Sequence, residues 1–184
     1  MKKFLLVAAI AFVSVAYSQK GNTSSAGIAY KNYQSNLLSG DYETAAKELR
    51  DAKEFIDKSF VHEDTKDDAK TLMYYGFIYI NIPVCAQVSK DEELLAVDGQ
   101  TAFQDGMAAL KRSKEVDAKG RYHDDVDAFC DQYRMQLSQM GIKSYEEEKW
   151  NEAAGGLIGA AMFGDILGVE DSMFYFYGGL AAYN

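Results

Sequence analysis

Apolar and small residues recur at helical spacing along most of this chain. In residues 41–58 they are separated by four, three and four positions: Ala45, Leu49, Ala52 and Ile56. A second stretch has intervals of four, four and three: Phe129, Tyr133, Leu137 and Met140. Such intervals keep side chains on one face of a helix. No stretch alternates strictly over the length of a strand, so the pattern predicts an all-α protein.

The same spacing, interrupted by turn residues, predicts these helices: 28–39, 42–58, 65–82, 100–117, 123–145, 147–163 and 171–184. Pro83 is expected to stop the third helix, because proline lacks an N–H group and clashes with the preceding turn. The acidic run at 91–93 could open another short helix, since acidic side chains are favoured in a first turn. Residues 84–99 therefore stay open between loop and helix.

The charge balance narrows the class of partner. The chain has 19 Lys and Arg against 28 Asp and Glu, a formal net charge of −9. Nucleic-acid binding depends on basic side chains that neutralise phosphates, and an anionic membrane surface attracts the same side chains. We therefore expect neither nucleic acid nor an anionic membrane surface as the partner.

The first 18 residues have the order of a secretory signal peptide. A basic pair opens the chain, residues 4–16 form a nearly unbroken apolar run of 13, and Ala16 and Ser18 are the small residues that signal peptidase needs. We predict cleavage before Gln19. The run is shorter than the roughly 20 residues of a membrane span. The expected location of the mature chain is the periplasm of a Gram-negative bacterium or its exterior, without membrane insertion.

Residues 19–27 are polar, small and aperiodic, and they predict a flexible leader before a folded domain over 28–184. Cys85 and Cys130 would then lie in a compartment that permits disulfides, and their spacing matches no metal site. Their pairing stays open, and thiols that are not paired, buried as small apolar groups, are the preferred interpretation.

Internal repeats carry a family resemblance. Two segments share one set of offsets: Gly40-Asp41-Tyr42 before Ala45, Leu49 and Ala52, and Glu148-Lys149-Trp150 before Ala153, Leu157 and Ala160. Three others combine Leu or an aromatic with glycine: Leu72-x-x-Tyr75-Gly76-x-x-Tyr79, Leu137-x-x-Met140-Gly141 with Tyr145, and Tyr175-x-x-Gly178-Gly179 with Tyr183. These segments resemble the second and first helices of tetratricopeptide repeats. Glycine suits a helix crossing, because its missing side chain lets two backbones approach.

The resemblance to exported bacterial tetratricopeptide-repeat proteins covers residues 28–184. It implies a solenoid, a right-handed superhelical stack of antiparallel helical hairpins, with about three hairpins and an unpaired last helix. That last helix, over 174–184, is aromatic and glycine-rich, whereas terminal repeats carry a polar capping face. We expect either a C-terminal continuation into a longer repeat protein or self-association through the last helix.

In that family the concave groove is lined by first-helix residues that lie off the packing seam. Carried onto the positions around the key glycines, this implies a partner-binding groove of nine residues: Met73, Phe77, Asn81, Ser138, Ile142, Tyr145, Phe176, Leu180 and Tyr183.

No residue pattern indicates a catalytic site, a cofactor or a metal. His62 and His123 stand beside acidic residues that suit helix N-termini better than metal ligation. The segment Gly155-Gly156-Leu157-Ile158-Gly159 lacks the Lys and Ser/Thr of a phosphate loop, and it indicates tight helix packing. Asp171-Ser172-Met173 resembles a bacterial O-glycosylation tripeptide, but capping of the last helix by Asp171 or Ser172 is the preferred interpretation.

Together these features predict an exported, non-catalytic helical-repeat scaffold that binds a protein or peptide partner in the cell envelope. The alternative is a carbohydrate- or nutrient-binding component associated with an outer-membrane transporter. The short chain and the lack of a cysteine for lipid attachment count against that alternative. An enzyme built on the helical scaffold has the weakest support.

Overall fold

The computed structural model describes residues 21–184 in full, and of residues 2–20 only that they belong to the first helix. Residues 21–184 are helical with no strand among them, so the all-α prediction is confirmed for this part of the chain. The helices are α1 (Lys2–Ser39), α2 (Tyr42–Phe60), α3 (Ala69–Ser89), α4 (Glu92–Leu95), α5 (Gly99–Val116), α6 (His123–Glu146), α7 (Trp150–Leu167) and α8 (Ser172–Tyr183). The predicted signal peptide over 1–18 and its cleavage before Gln19 lie outside the described residues.

The chain divides into two compact units, Met1–Tyr122 and His123–Asn184. In the N-terminal unit α1 packs on α2, α2 on α3 and α3 on α5, and the short α4 lies against α3. In the C-terminal unit α7 packs against both α6 and α8, whereas α6 and α8 touch only slightly.

Aspartates set the start of four helices. Each accepts a hydrogen bond from the backbone N–H three residues further on, at 2.8–3.3 Å: Asp41, Asp68, Asp91 and Asp98. A cap of this kind satisfies a donor that has no partner inside the helix and contributes about 1 kcal/mol. The cap at Asp91 opens α4, so the acidic run at 91–93 does start a short helix.

Pro83 does not stop the third helix, and this prediction is wrong. α3 continues through Pro83 for another turn and a half, to Ser89. The residues around the proline are buried, with Ile82 and Cys85 at 0% exposure and Ala86 at 3%. Proline costs the helix one backbone hydrogen bond. The burial of these neighbouring side chains offsets that loss, because tertiary packing supplies most of the stability of a helix in a protein.

Residues 21–27 lie in α1, where the sequence predicted a flexible leader. Thr23 is buried, and its hydroxyl makes hydrogen bonds with Ser59 at 3.0 Å and Thr71 at 2.9 Å. These hydroxyl contacts connect α1 to α2 and α3. The sequence pattern carries no sign of them, because small polar residues do not produce an apolar periodicity. Ala26 is also fully buried.

Paired glycines let helices cross at close range in both units. A Cβ on Gly156 of α7 would lie 2.7 Å from the Cα of Gly141 on α6. A Cβ on Gly76 of α3 would lie 2.9 Å from the carbonyl oxygen of Gly106 on α5. Real Cβ atoms do not fit at such distances from backbone, so these crossings exclude any side chain. The expectation that Gly76 and Gly141 lie at crossings is confirmed.

We predict that Gly156→Ala lowers the free energy of unfolding by about 1–3 kcal/mol, because the added methyl meets the backbone of α6. The matched control is Gly155→Ala, one position earlier in α7, where a Cβ meets nothing within 4 Å. That change is expected to stabilise the protein by roughly 0.5–1 kcal/mol through helix propensity. Urea unfolding followed by circular dichroism measures both, and equal effects of the two substitutions would contradict the crossing geometry.

The thiols give a second prediction. No disulfide joins Cys85 and Cys130, and both are at 0% exposure. Burial raises the pKa of the Cys85 thiol to about 11, which further slows its reaction. A colorimetric thiol reagent should find neither cysteine in the native protein and both after unfolding without a reductant. Detecting no thiol in the unfolded chain would instead show a disulfide.

Candidate functional site

The C-terminal unit contains an apolar pocket of about 290 Å³ that opens to solvent. Seven residues line it, from α6, α7 and α8: Ile142, Tyr145, Glu146, Leu157, Met173, Phe174 and Tyr177. Glu146 is the only one of the seven with a charged side chain. Apolar concave surfaces that carry few polar groups are typical of binding sites.

Close packing of α8 on α7 forms one wall of this pocket. Phe174, Gly178 and Ala181 follow one another at intervals of four and three, so they share a face of α8. Gly178 and Ala181 are buried, and a Cβ on Gly178 would lie 3.2 Å from the backbone nitrogen of Ile158. The absence of a side chain at Gly178 therefore brings α8 close to α7.

A second side of α8 is apolar and exposed. Its five residues stand at positions i, i+3, i+4, i+7 and i+10, and we call them the α8 stripe: Met173, Phe176, Tyr177, Leu180 and Tyr183. Their exposed fractions run from 38% at Tyr177 to 89% at Tyr183. Residues 172–184 include no charged side chain. A contiguous apolar surface of this kind on a folded protein marks an interaction site.

Edge-to-face aromatic contacts hold the pocket wall in place. The Tyr145 ring lies 5.7 Å from that of Tyr177 and 5.3 Å from that of Trp150, measured between centroids, with interplanar angles of 82° and 81°. Phe176 makes a similar contact with Tyr177 at 5.3 Å. Such contacts are favourable beyond the area they bury. They orient both tyrosines before any ligand arrives.

An ion pair fixes the start of α8. Arg134 of α6 donates from Nε to Asp171 Oδ2 at 2.6 Å and from Nη2 to Asp171 Oδ1 at 2.7 Å. The Asp171 side chain is only 9% exposed, so this bidentate pair is well shielded from solvent. The side chain of Asp171 makes no capping hydrogen bond to α8, although the sequence predicted one. Its carboxylate instead pairs with Arg134 of α6.

A further contact orders the same end of the helix. The Tyr175 hydroxyl donates to Asp165 Oδ2 at 2.5 Å. Burial, together with this carboxylate, raises the pKa of Tyr175 to about 12. The tyrosine therefore stays a neutral donor, and it ties α8 to the last turn of α7.

The rim of the pocket is acidic. Glu147 lies 2.7 Å from Lys149 Nζ and 3.9 Å from Lys143 Nζ, and the contact with Lys149 holds the Glu147 pKa below its usual value. Glu146, which lines the pocket, makes no ion pair among residues 21–184. The pocket therefore presents an uncompensated carboxylate beside its apolar wall.

The structure brings together most of the groove residues predicted in this unit. Ile142 and Tyr145 line the pocket, and three others lie on the α8 stripe: Phe176, Leu180 and Tyr183. Ser138 lies outside the pocket, and its hydroxyl donates to the Met135 carbonyl at 3.0 Å.

The three groove residues predicted in α3 belong instead to a core. Met73, Phe77 and Asn81 are 3%, 7% and 6% exposed. Two tyrosines of α1 cover this face: Tyr30 lies 5.8 Å from the Phe77 ring, and the Tyr33 hydroxyl donates to the Asn81 amide oxygen at 3.0 Å. α1 therefore packs on this face of α3, where the resemblance implied an open groove.

Sequence reasoning missed four apolar lining residues and the rim carboxylate: Leu157, Met173, Phe174, Tyr177 and Glu146. A signal was present for Met173 and Tyr177, which share a side of the last helix with Phe176 at intervals of three and one. The family offsets selected Phe176 alone from that side. No local pattern distinguishes Leu157, whose role depends on the α6–α7 crossing.

Within residues 21–184, His, Cys, Asp and Glu do not group in threes as metal ligands would. No helix in that range is both long and apolar enough to cross a membrane. Comparison with protein-family models, with curated proteins and with solved structures gives no significant match.

We predict that Asp171→Asn lowers the free energy of unfolding by about 1–3 kcal/mol, because it removes the charge partner of Arg134. Amide exchange in α8 should accelerate more than in α6, since the lost contact holds the start of α8. Glu170→Gln, at an exposed neighbour, is the matched control and should change little. Equal exchange rates in the two variants would rule out the anchoring role.

Proposed function

We propose that this protein is an exported, non-catalytic helical-repeat scaffold that binds a protein or peptide partner in the cell envelope. The pocket and the α8 stripe are its binding surface. The observation that carries the proposal is their juxtaposition: Met173 and Tyr177 belong to both, so the exposed apolar stripe leads directly into the pocket.

The pocket is large enough for a side chain of a partner, and its volume lies at the lower edge of the range for small-molecule sites. Sites for drug-sized ligands enclose roughly 300–1,000 Å³, and this pocket encloses about 290 Å³. One or two large apolar side chains fit such a volume, as anchor residues do at protein interfaces. The stripe then supplies the extended surface that a peptide segment needs around its anchor.

We also propose that the helices form tetratricopeptide-like hairpins in a right-handed superhelical stack. Support comes from the repeated offsets of the sequence and from the glycine crossings within each unit. Short connections agree with this arrangement, since only Gly40 and Asp41 separate α1 from α2, and three residues separate α6 from α7. The family resemblance therefore rests on sequence pattern together with local packing.

The carbohydrate-binding alternative receives less support from the pocket. Sugars are recognised through many hydroxyl groups, and each of these needs a polar partner when it is buried. The lining offers one carboxylate, at Glu146, and two tyrosine side chains among seven residues. A peptide with an apolar anchor matches this lining better.

Site-specific photo-crosslinking in the native host tests the proposed function. A photoreactive amino acid replaces Ile142 or Phe176 in the full chain, and Met135 is the control position. Met135 lies on α6 with Ile142 and is equally exposed, at 52% against 47%, but it does not line the pocket. We expect the same discrete protein adduct from positions 142 and 176 and none from 135. Absence of an adduct at both, or equal adducts at all three, would refute the proposed surface.

A further inference from the structure

The C-terminal unit carries a strong negative charge. Residues 123–184 contain 11 Asp and Glu against 3 Lys and Arg, a net charge of −8. All three basic residues lie beside carboxylates of the same unit: Arg134 at Asp171, and Lys143 and Lys149 at Glu147. Within residues 21–184, Glu146 and Glu148 make no ion pair, so these two carboxylates beside the pocket can still bind a cation of a partner.

Part of this charge lies beside the first half of the α8 stripe. Glu146, Glu147 and Glu148 follow Tyr145 at the end of α6, and Glu146 lines the pocket. The α8 stripe carries no charge at all. A partner segment on the stripe thus meets an uncharged surface with the Glu146 carboxylate beside its first half.

The track has the length and spacing of a helix-binding surface. From Met173 to Tyr183 the stripe rises by ten residues, which is about 15 Å or nearly three helical turns. A helix that lies along it would present apolar side chains at positions i, i+3, i+4 and i+7. One of these side chains would enter the pocket beside Met173 and Tyr177.

We infer that the partner segment is a basic amphipathic helix. Its apolar face covers the α8 stripe and inserts one large side chain between Ile142 and Tyr177. Its Lys or Arg residues flank that face and pair with Glu146 and Glu148, the two carboxylates of the acidic rim at 146–148 that make no ion pair within residues 21–184. This inference rests on the proposed function and adds the chemistry of the partner.

Charge decides against two other occupants. A second copy of this chain would bring a second acidic rim to the first, and like charges at close range oppose association. An anionic lipid surface would be repelled for the same reason. A basic partner is attracted over longer distances and associates faster, and the attraction falls as salt rises.

The test uses the full chain and two synthetic peptides. The basic probe is a helix-forming peptide of about 16 residues, ~24 Å long, with leucines at i, i+3, i+4 and i+7 and lysines beside them. Its acidic twin has glutamate at every lysine position. Fluorescence anisotropy should give at least about tenfold tighter binding of the basic probe at low salt, and a smaller difference at high salt.

Two pairs of variants separate the charge from the apolar contact. Glu146→Lys should weaken binding of the basic probe about tenfold and strengthen binding of the acidic twin. Glu170→Lys changes the net charge equally at an exposed position outside the pocket, and should have a much smaller effect. Ile142→Ala should weaken binding of both probes, whereas Met135→Ala should weaken neither.

The outcomes distinguish this inference from the proposed function. Equal affinity for the two probes, with Ile142→Ala weakening both, overturns the basic partner and leaves the peptide-binding surface in place. Equal effects of Glu146→Lys and Glu170→Lys also overturn it, because the attraction would then reflect net charge alone. Failure of the basic probe to bind, with a stable dimer in sedimentation, assigns the stripe to a second copy.

Discussion

Close backbone contact between α6 and α7 at Gly141 and Gly156 is the constraint on which the C-terminal unit depends. Because no side chain fits in that seam, Leu157 lies directly against α6 and becomes a lining residue of the pocket. Gly178 makes the equivalent close approach between α8 and α7. Small residues thus occupy both close approaches, and the exposed large side chains of α8 lie outside them.

This division of small and large residues explains why the apolar surface is exposed. A helix that packs through glycine and alanine buries little of its own apolar area, so the stripe on α8 remains uncovered. Arg134 and Asp171 hold the start of the helix, and the aromatic contacts of Tyr145 orient the pocket wall. A surface ordered in advance loses less entropy when a partner binds.

Local patterns in the sequence predicted the elements better than their contacts. The apolar spacing located most helices, and the glycines at 76, 141 and 178 lie at close approaches, as expected. The proline predicted that α3 ends at Pro83, whereas α3 continues to Ser89. The burial of residues 82–86 by distant parts of the chain stabilises this last part of the helix, and it has no local signal in the sequence. Phe77 and Asn81 were assigned to a groove because their offsets match a family pattern, whereas the packing of α1 on α3 decides their burial. In the C-terminal unit no helix covers the matching positions, and Phe176 and Leu180 are exposed.

The central claim is that one surface, built from the end of α6 and the outer side of α8, binds a partner segment. Hydrogen–deuterium exchange of the full chain, with and without the basic helical peptide, tests it most directly. The account predicts added protection confined to residues 142–146 and 173–180. Protection confined to the N-terminal unit, or no change in exchange at peptide concentrations that saturate binding, would contradict it.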